Sequence, residues 1–567
     1  MNTDEPATYD LIDQPWLLVR RLDGSQDELS LLGVFEQGHL LAGLVGDVPT
    51  QVFALTRLLV AVLHRAVAGP RDLDHWEQLW NASELPCPDI RAYLTAHRAR
   101  FDLLHPATPF LQVAGLHTAK GEVSELSKLI ADVPNGRPFF STRLGPVPSL
   151  SFAEAARWVV HCHAFDPSGI KSGAVGDPRV TGGKGYPIGT GWSGFLGGVM
   201  PEGATLRETL LLNLIACDFG DLAQWRDSDA PAWERTAVGA AEETPDGRAP
   251  TGPTDLYTWQ SRRIRLEHDG AAVTGVLICN GERIAPQNKN IIEPHTGWRR
   301  SQAQEKKRRL PQVYMPREHN AERAIWRGLE SLLPAARTVQ GHDAAADLAP
   351  VVLEWISYVT EEVLGPDHVV QLRTLGMIYR NNSSVTDEIV DDALALRTVL
   401  LAHNAQHLVG VVLACVAAAE AAAWALGSLA LDVAHASGQR PPKTPGRPEP
   451  HEIGPKTRAI ELAFVELDGL FREWIARLGP AGDPTDEQAA WHRTVKQVID
   501  VLAADVLAQA PMTAWVGRTV KGGQKRLVTS AQADLRFRRE LRTAVPLAYP
   551  PQDKDTTNEP HGATASA

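Results

Sequence analysis

"LVGVVLACVAAAEAAAWALGSLALDVA", residues 408–434, is the stretch whose reading decides the fold. It is long enough to cross a bilayer, and equally suited to the inside of a helical bundle. Glu420 near its centre and Asp432 near its end separate the two readings. A lone carboxylate inside a membrane is costly, whereas alanine-rich helices are common in the cores of bundles. The stretch therefore predicts a buried bundle helix. Three downstream segments share its amphipathic helical spacing: "TRAIELAFVELDGLFREWIARL", "EQAAWHRTVKQVIDVLAADVLAQA" and "SAQADLRFRRELRTAV". Upstream, "VTDEIVDDALALRTVLLAH" is read as one more helix of the set. Four or five such helices in succession make a C-terminal α-helical, four-helix bundle over 380–547. A proline-rich connection at 436–455 joins two of them, and 548–567 reads as a disordered tail.

Residues 1–375 have a different texture. Short β-rich runs alternate with helical ones and with frequent Pro and Gly. "TYDLIDQPWLLVRRLDG" reads as a strand, a turn and a second strand, and "VFALTRLLVAVLHRAVAG" and "LRETLLLNLIAC" as helices. "SRRIRLEHDGAAVTGVLICNGERI" reads as a hairpin turning at Asp269–Gly270. The fold class expected is α+β: a large, mixed, loop-rich N-terminal domain followed by the bundle.

The chain has 567 residues, 44% hydrophobic and 22% charged, with a net charge of −12. That length implies two or three domains. The acidic balance argues against a bulk polyelectrolyte binder, but not against local basic patches. The five cysteines are scattered and contain no CxxC pair, a pattern that fits a reducing cytoplasm. The N-terminus, "MNTDEPATYDLIDQPW", is acidic and lacks the plan of a signal peptide.

Gly169–Gly198 puts eleven glycines into thirty residues. Such a segment is either a flexible loop or a place where main chain touches a ligand. Enzyme signatures fail there. "GTGWSG" lacks the strand–turn–helix setting of a dinucleotide site, "GGKG" lacks the hydroxyl and first glycine of a P-loop, and "GWSGF" lacks the spacing of a nucleophile elbow. His161, Cys162, His163 and Asp166 in "HCHAFD" have no second ligand cluster. No catalytic residue, metal or cofactor is expected. Nucleic-acid binding has more local support: "GWRRSQAQEKKRRLPQ" (297–312) holds six basic residues and one acid, and the stretch from Arg518 to Arg542 is similarly basic. "IYRNNSSV" (378–385) reads on spacing as a helix cap, with Ser384 or Thr386 as the capping residue.

Five motifs in register, "LIDQPWLLV" (11–19), "HPATPFLQ" (105–112), "IKSG" (170–173), "ATLRETLLLNL" (204–214) and "YRNNSS" (379–384), resemble the CasA family over about 8–545. This family is the large subunit of the type I-E CRISPR surveillance complex, Cascade. The resemblance implies a non-catalytic, cytoplasmic subunit that binds the protospacer-adjacent motif (PAM) of double-stranded target DNA from the minor groove. It further implies help in opening the duplex for R-loop formation, and recruitment of the CRISPR helicase-nuclease. Implied partners are guide RNA and the backbone, small and 5′-end-binding subunits, with no membrane. The family's glycine loop maps onto "DPSGIKSG", giving Ser168, Gly169 and Lys171. Its lysine finger maps onto Lys289, with Arg283 second. The wedge that parts the first base pair falls at Asn381, Asn382 and Ser383, the family's glutamine being replaced here by Ser383. A loop that touches guide RNA and backbone subunits maps onto "NGRPFFSTR", giving Arg137, Phe139 and Phe140. Some members carry zinc near 260–285; only Cys279 lies there, so no zinc is expected. The alternative is a scaffold subunit without direct PAM readout. A hydrolase built on His161–Asp166 is the third class.

Overall fold

The structure, a computed structural model, describes residues 7–550 apart from 134, 136, 137, 139–142, 221–227, 246, 337–346, 440–453 and 521–525. Arg137, Phe139, Phe140, most of the proline-rich connection and the tail beyond 550 thus lie outside the described residues. Two compact units divide the chain, residues 1–409 and 410–567.

The first unit is built around the helix Pro49–Ala66. Every residue from Thr50 to His64 is buried, the polar Thr50, Arg57 and His64 included, so the unit folds around it on all sides. Phe53 on this helix meets Phe165, the last residue of a second helix, Phe152–Phe165. Ser151 caps that second helix by accepting the Glu154 N–H. The predicted hairpin forms as Arg262–His268 and Val273–Asn280, with Gly270 at φ +94° in its turn. Lys171–Ser172 adds to the same sheet through Ser172 and Cys279, and Lys184–Gly185 forms its edge. A second sheet orders Val385–Arg397, Val369–Arg380 and Gly198–Glu202.

Val385–Arg397 was expected to be helical and is a strand, paired from Val369–Arg397 to Arg380–Val385. Ile389, Ala393 and Leu396 mimic helical spacing, but Leu394, Leu396 and Thr398 bury alternate residues, and strand pairing prevails over local preference. The asparagine run is accordingly a hairpin tip and not a helix cap. The glycine-rich segment is not the flexible loop that its composition left open. Thr190–Gly194 and Gly197–Pro201 are buried. At Gly191 an added Cβ would collide with the His163 and Ala164 carbonyls, so here glycine lets the chain pack against its own backbone.

In the second unit, the long helices Gln406–Ser437, Pro455–Arg477, Pro484–Ala508 and Ser530–Ala544 form the bundle, as expected. The first is long and apolar enough to cross a membrane, yet Val412, Cys415, Ala419, Ala422, Leu426 and Leu429 are buried inside the unit. Trp491 donates its indole N–H to the Cys415 carbonyl at 3.0 Å, stacks on Trp474 and meets Phe471 edge-to-face. Asp432, the carboxylate that spoke against a membrane span, pairs with Arg536 at 2.9 Å.

Candidate nucleic-acid interface

The helix Phe152–Phe165 delivers the chain to Asp166, a buried carboxylate gripped by Lys171 Nζ and Arg262 Nε, each at 2.5 Å. Burial alone would raise this carboxyl, but the two cations outweigh it and hold it below the ordinary aspartate range. Arg262 also donates to the carbonyls of Pro167 (3.2 Å) and Gly189 (2.9 Å), and so ties the loop to the glycine-rich segment. Ser168 is buried on this loop. Gly169 follows at φ +151°, a conformation that favours glycine, and a Cβ there would approach that of Ser384.

Ser384 closes the tip of the long hairpin. Asn381, Asn382 and Ser383 take φ of +53°, +55° and +61°, three consecutive non-glycine residues in the left-handed region. Each such residue costs about 1–2 kcal/mol, least for asparagine, so the turn needs outside support. Within the turn, Ser384 Oγ and N donate to the Asn381 carbonyl. Asn135 supplies a clamp: its carboxamide donates to the Ser384 carbonyl at 3.0 Å and accepts the Thr386 N–H at 3.2 Å. Tyr379 ties the hairpin to the loop by donating its hydroxyl to the Phe165 carbonyl at 2.6 Å. The loop at Ser168–Gly169 and the end of the hairpin turn at Ser384 thus face one cleft of about 510 Å³, lined among others by Lys128, Asn135, Ser168, Gly169 and Ser384, whereas Asn381, Asn382 and Ser383 are not among its lining residues. Asn135 was missed as a positioning residue. Its only sequence signal is that it opens the "NGRPFFSTR" loop. Asn135→Ala removes both clamp bonds, which predicts a loss of about 1–2 kcal/mol and faster amide exchange at Thr386. Unchanged exchange there would show that the tip holds itself.

The remaining expected cations are engaged within the protein or lie outside the cleft. Lys171 lines the cleft, but its ammonium is engaged by Asp166. Arg283 is held by a two-pronged pair with Glu242 and by the Pro245 carbonyl. Lys289 is not among the residues lining the cleft. It follows Asn288, which exchanges hydrogen bonds with Tyr314, and it forms no ion pair among the described residues. Burial, and then Arg308 nearby, lower its ammonium from the ordinary lysine range. Lys289 therefore belongs with the basic island. There the short helix Gln302–Arg308 carries exposed Lys306, Lys307 and Arg308, and exposed Arg309 follows in its left-handed cap.

His161, Cys162 and His163 are interior groups. The His161 ring is 2.9 Å from Thr50 Oγ1, and the His163 ring 2.7 Å from the Leu111 carbonyl. Burial pushes the two imidazoles down to about 3 and about 4 and the Cys162 thiol up, so the histidines stay neutral. No group of three or more His, Cys, Asp or Glu suited to a metal occurs among the described residues. Cys279 is buried in its strand.

Fold and cleft together define a large α+β chain ending in a helical bundle, of the kind seen in CRISPR-associated proteins. Residues 10–502 match the family CRISPR-associated protein Cse1, and the chain belongs to that family. A CasA/Cse1 protein of Thermus thermophilus is 29% identical over 553 residues, 94% of this chain and 97% of that one. The crystal structure of Thermobifida fusca Cse1 superposes with a TM-score of 0.87 at 46% identity, over 97% of this chain and 100% of that one. A chain of a CRISPR RNA-guided surveillance complex shares the fold, at a TM-score of 0.57 and 19% identity, over 88% and 100% of the two chains.

Proposed function

We propose that this chain is the large, non-catalytic subunit of a cytoplasmic, RNA-guided DNA surveillance complex, and that it reads the PAM of the target duplex from the minor groove. The observation that carries this reading is the cleft shared by Gly169 and Ser384, the residue that closes the strained hairpin tip. A main chain without a side chain suits close approach to a narrow groove, whose hydrogen-bond code is degenerate. A tip already fixed in shape suits a wedge, because parting one base step costs a few kcal/mol and leaves little for ordering the protein as well. Asn382 and Ser383 are then the wedge, and Lys289 with its basic neighbours holds the duplex. Guide pairing reads the rest of the target. On this reading the chain also contacts guide RNA and the other Cascade subunits, aids R-loop formation and recruits the helicase-nuclease.

The test uses the assembled complex with two guide-matched duplexes, one with a permissive PAM and one with the PAM scrambled. Lys289→Ala should weaken binding to the permissive target at least about fivefold, the low end of one specific polar contact, with assembly intact. Normal assembly with unchanged binding to the permissive target would make the chain a scaffold.

A further inference from the structure

Lys171 was the cation expected to meet DNA from the loop, but its charge is neutralised inside the protein by Asp166. The cleft holds another lysine. Lys128 lines it, is exposed, and forms no ion pair among the described residues. Its platform is rigid. It ends the turn Leu126–Lys128, with Leu126, Leu129 and Ile130 buried around it to within 2%. Just upstream, Ser124 exchanges backbone hydrogen bonds of 2.8 and 3.0 Å with Val276 of the hairpin sheet. The turn therefore presents one charged side chain, from an anchored backbone, to the cleft that also holds Gly169 and Ser384.

We propose that Lys128 is a phosphate-binding residue of this cleft, contacting the backbone of the target duplex beside the hairpin tip. The inference rests on the PAM-reading function proposed above. An ammonium is a compact point charge without the planar fork that selects a base edge, so it suits a phosphate oxygen. Phosphate contacts set position and affinity and carry no sequence information. Lys128 thus supplies attraction, while Gly169 and the tip supply discrimination.

The experiment compares assembled complexes carrying wild-type chain, Lys128→Ala, Lys128→Arg or Gly169→Leu. Each is titrated with the permissive and scrambled duplexes across a salt series, and guide RNA retention is measured alongside. Lys128→Ala should weaken both duplexes by the same factor and reduce the slope of log K against log salt by about 1, with Lys128→Arg restoring it. If the slope is unchanged while Gly169→Leu abolishes discrimination, the inference fails and the PAM reading stands. If Gly169→Leu also leaves discrimination intact, both fall. Loss of guide RNA from the Lys128→Ala complex assigns the phosphate to the guide and overturns the inference.

Discussion

Arg57→Met should lower the unfolding free energy of the first unit by about 3–5 kcal/mol, the loss typical of breaking one side of a buried ion pair. Arg57 and Glu293 are joined by two hydrogen bonds of 2.9 and 2.7 Å, and their side chains are 1% and 0% exposed. Trp192 donates its indole N–H to the same carboxylate at 2.6 Å, and the His295 N–H adds a further bond. The Arg57 guanidinium also lies over the rings of Phe53 and Tyr257. Methionine fills much of the volume but leaves Glu293 charged in the interior. The pair fastens the central helix to the segment that begins at Lys289. Chemical denaturation of Arg57→Met, Glu293→Gln and the double variant separates pairing from packing. The double variant should regain part of the loss, because no orphan charge remains. A double variant as unstable as the sum of the singles would falsify the pairing account.

Arg262→Met should cost a similar amount, about 3–5 kcal/mol, and, on the proposed function, should also abolish PAM discrimination in the assembled complex. Arg262 is 1% exposed and does two things at once: it neutralises Asp166 and ties down the Pro167 and Gly189 carbonyls. The variant leaves Asp166 with Lys171 alone. The wild-type carboxyl is held below its ordinary range, so it contributes stability above the unfolded pKa of about 3.9, lost as pH falls through the lower folded value. In the variant burial regains its hold and raises the folded pKa. The stability deficit should then be largest near neutral pH and shrink in acid. A deficit that does not change with pH would mean that Arg262 acts through packing alone.

Much of the architecture was legible because periodicity reports burial. The helix Pro49–Ala66, the Asp269–Gly270 hairpin and the bundle helices are written in local apolar spacing and turn chemistry. The strand Val385–Arg397 was not, because its spacing suits both structures and its partner strand settles the matter. At the site, "IKSG" and "YRNNSS" could be picked out by resemblance. What no local pattern carries is that Tyr379 and Asn135 bring them to one cleft, through contacts spanning more than two hundred residues. Nor does "IKSG" reveal that its lysine faces inward. A lysine beside an aspartate five residues away looks like any surface pair until Arg262 closes over it. Lys128 had no signal: in "SELSKLI" it looks like any surface lysine near a glutamate.

The inward-facing lysine has a consequence for how the chain works in a cell of varying ionic strength. Exposed cations lose their pull on phosphate as salt rises, but the Asp166–Lys171–Arg262 cluster is shielded from the solvent ions that do the screening. If the chain reads DNA as proposed, the shape of the loop at Gly169 should hold as salt rises while the grip on DNA weakens. On that proposal fidelity and tightness are separate quantities: salt should change how long the chain stays on a duplex without changing which duplex it prefers.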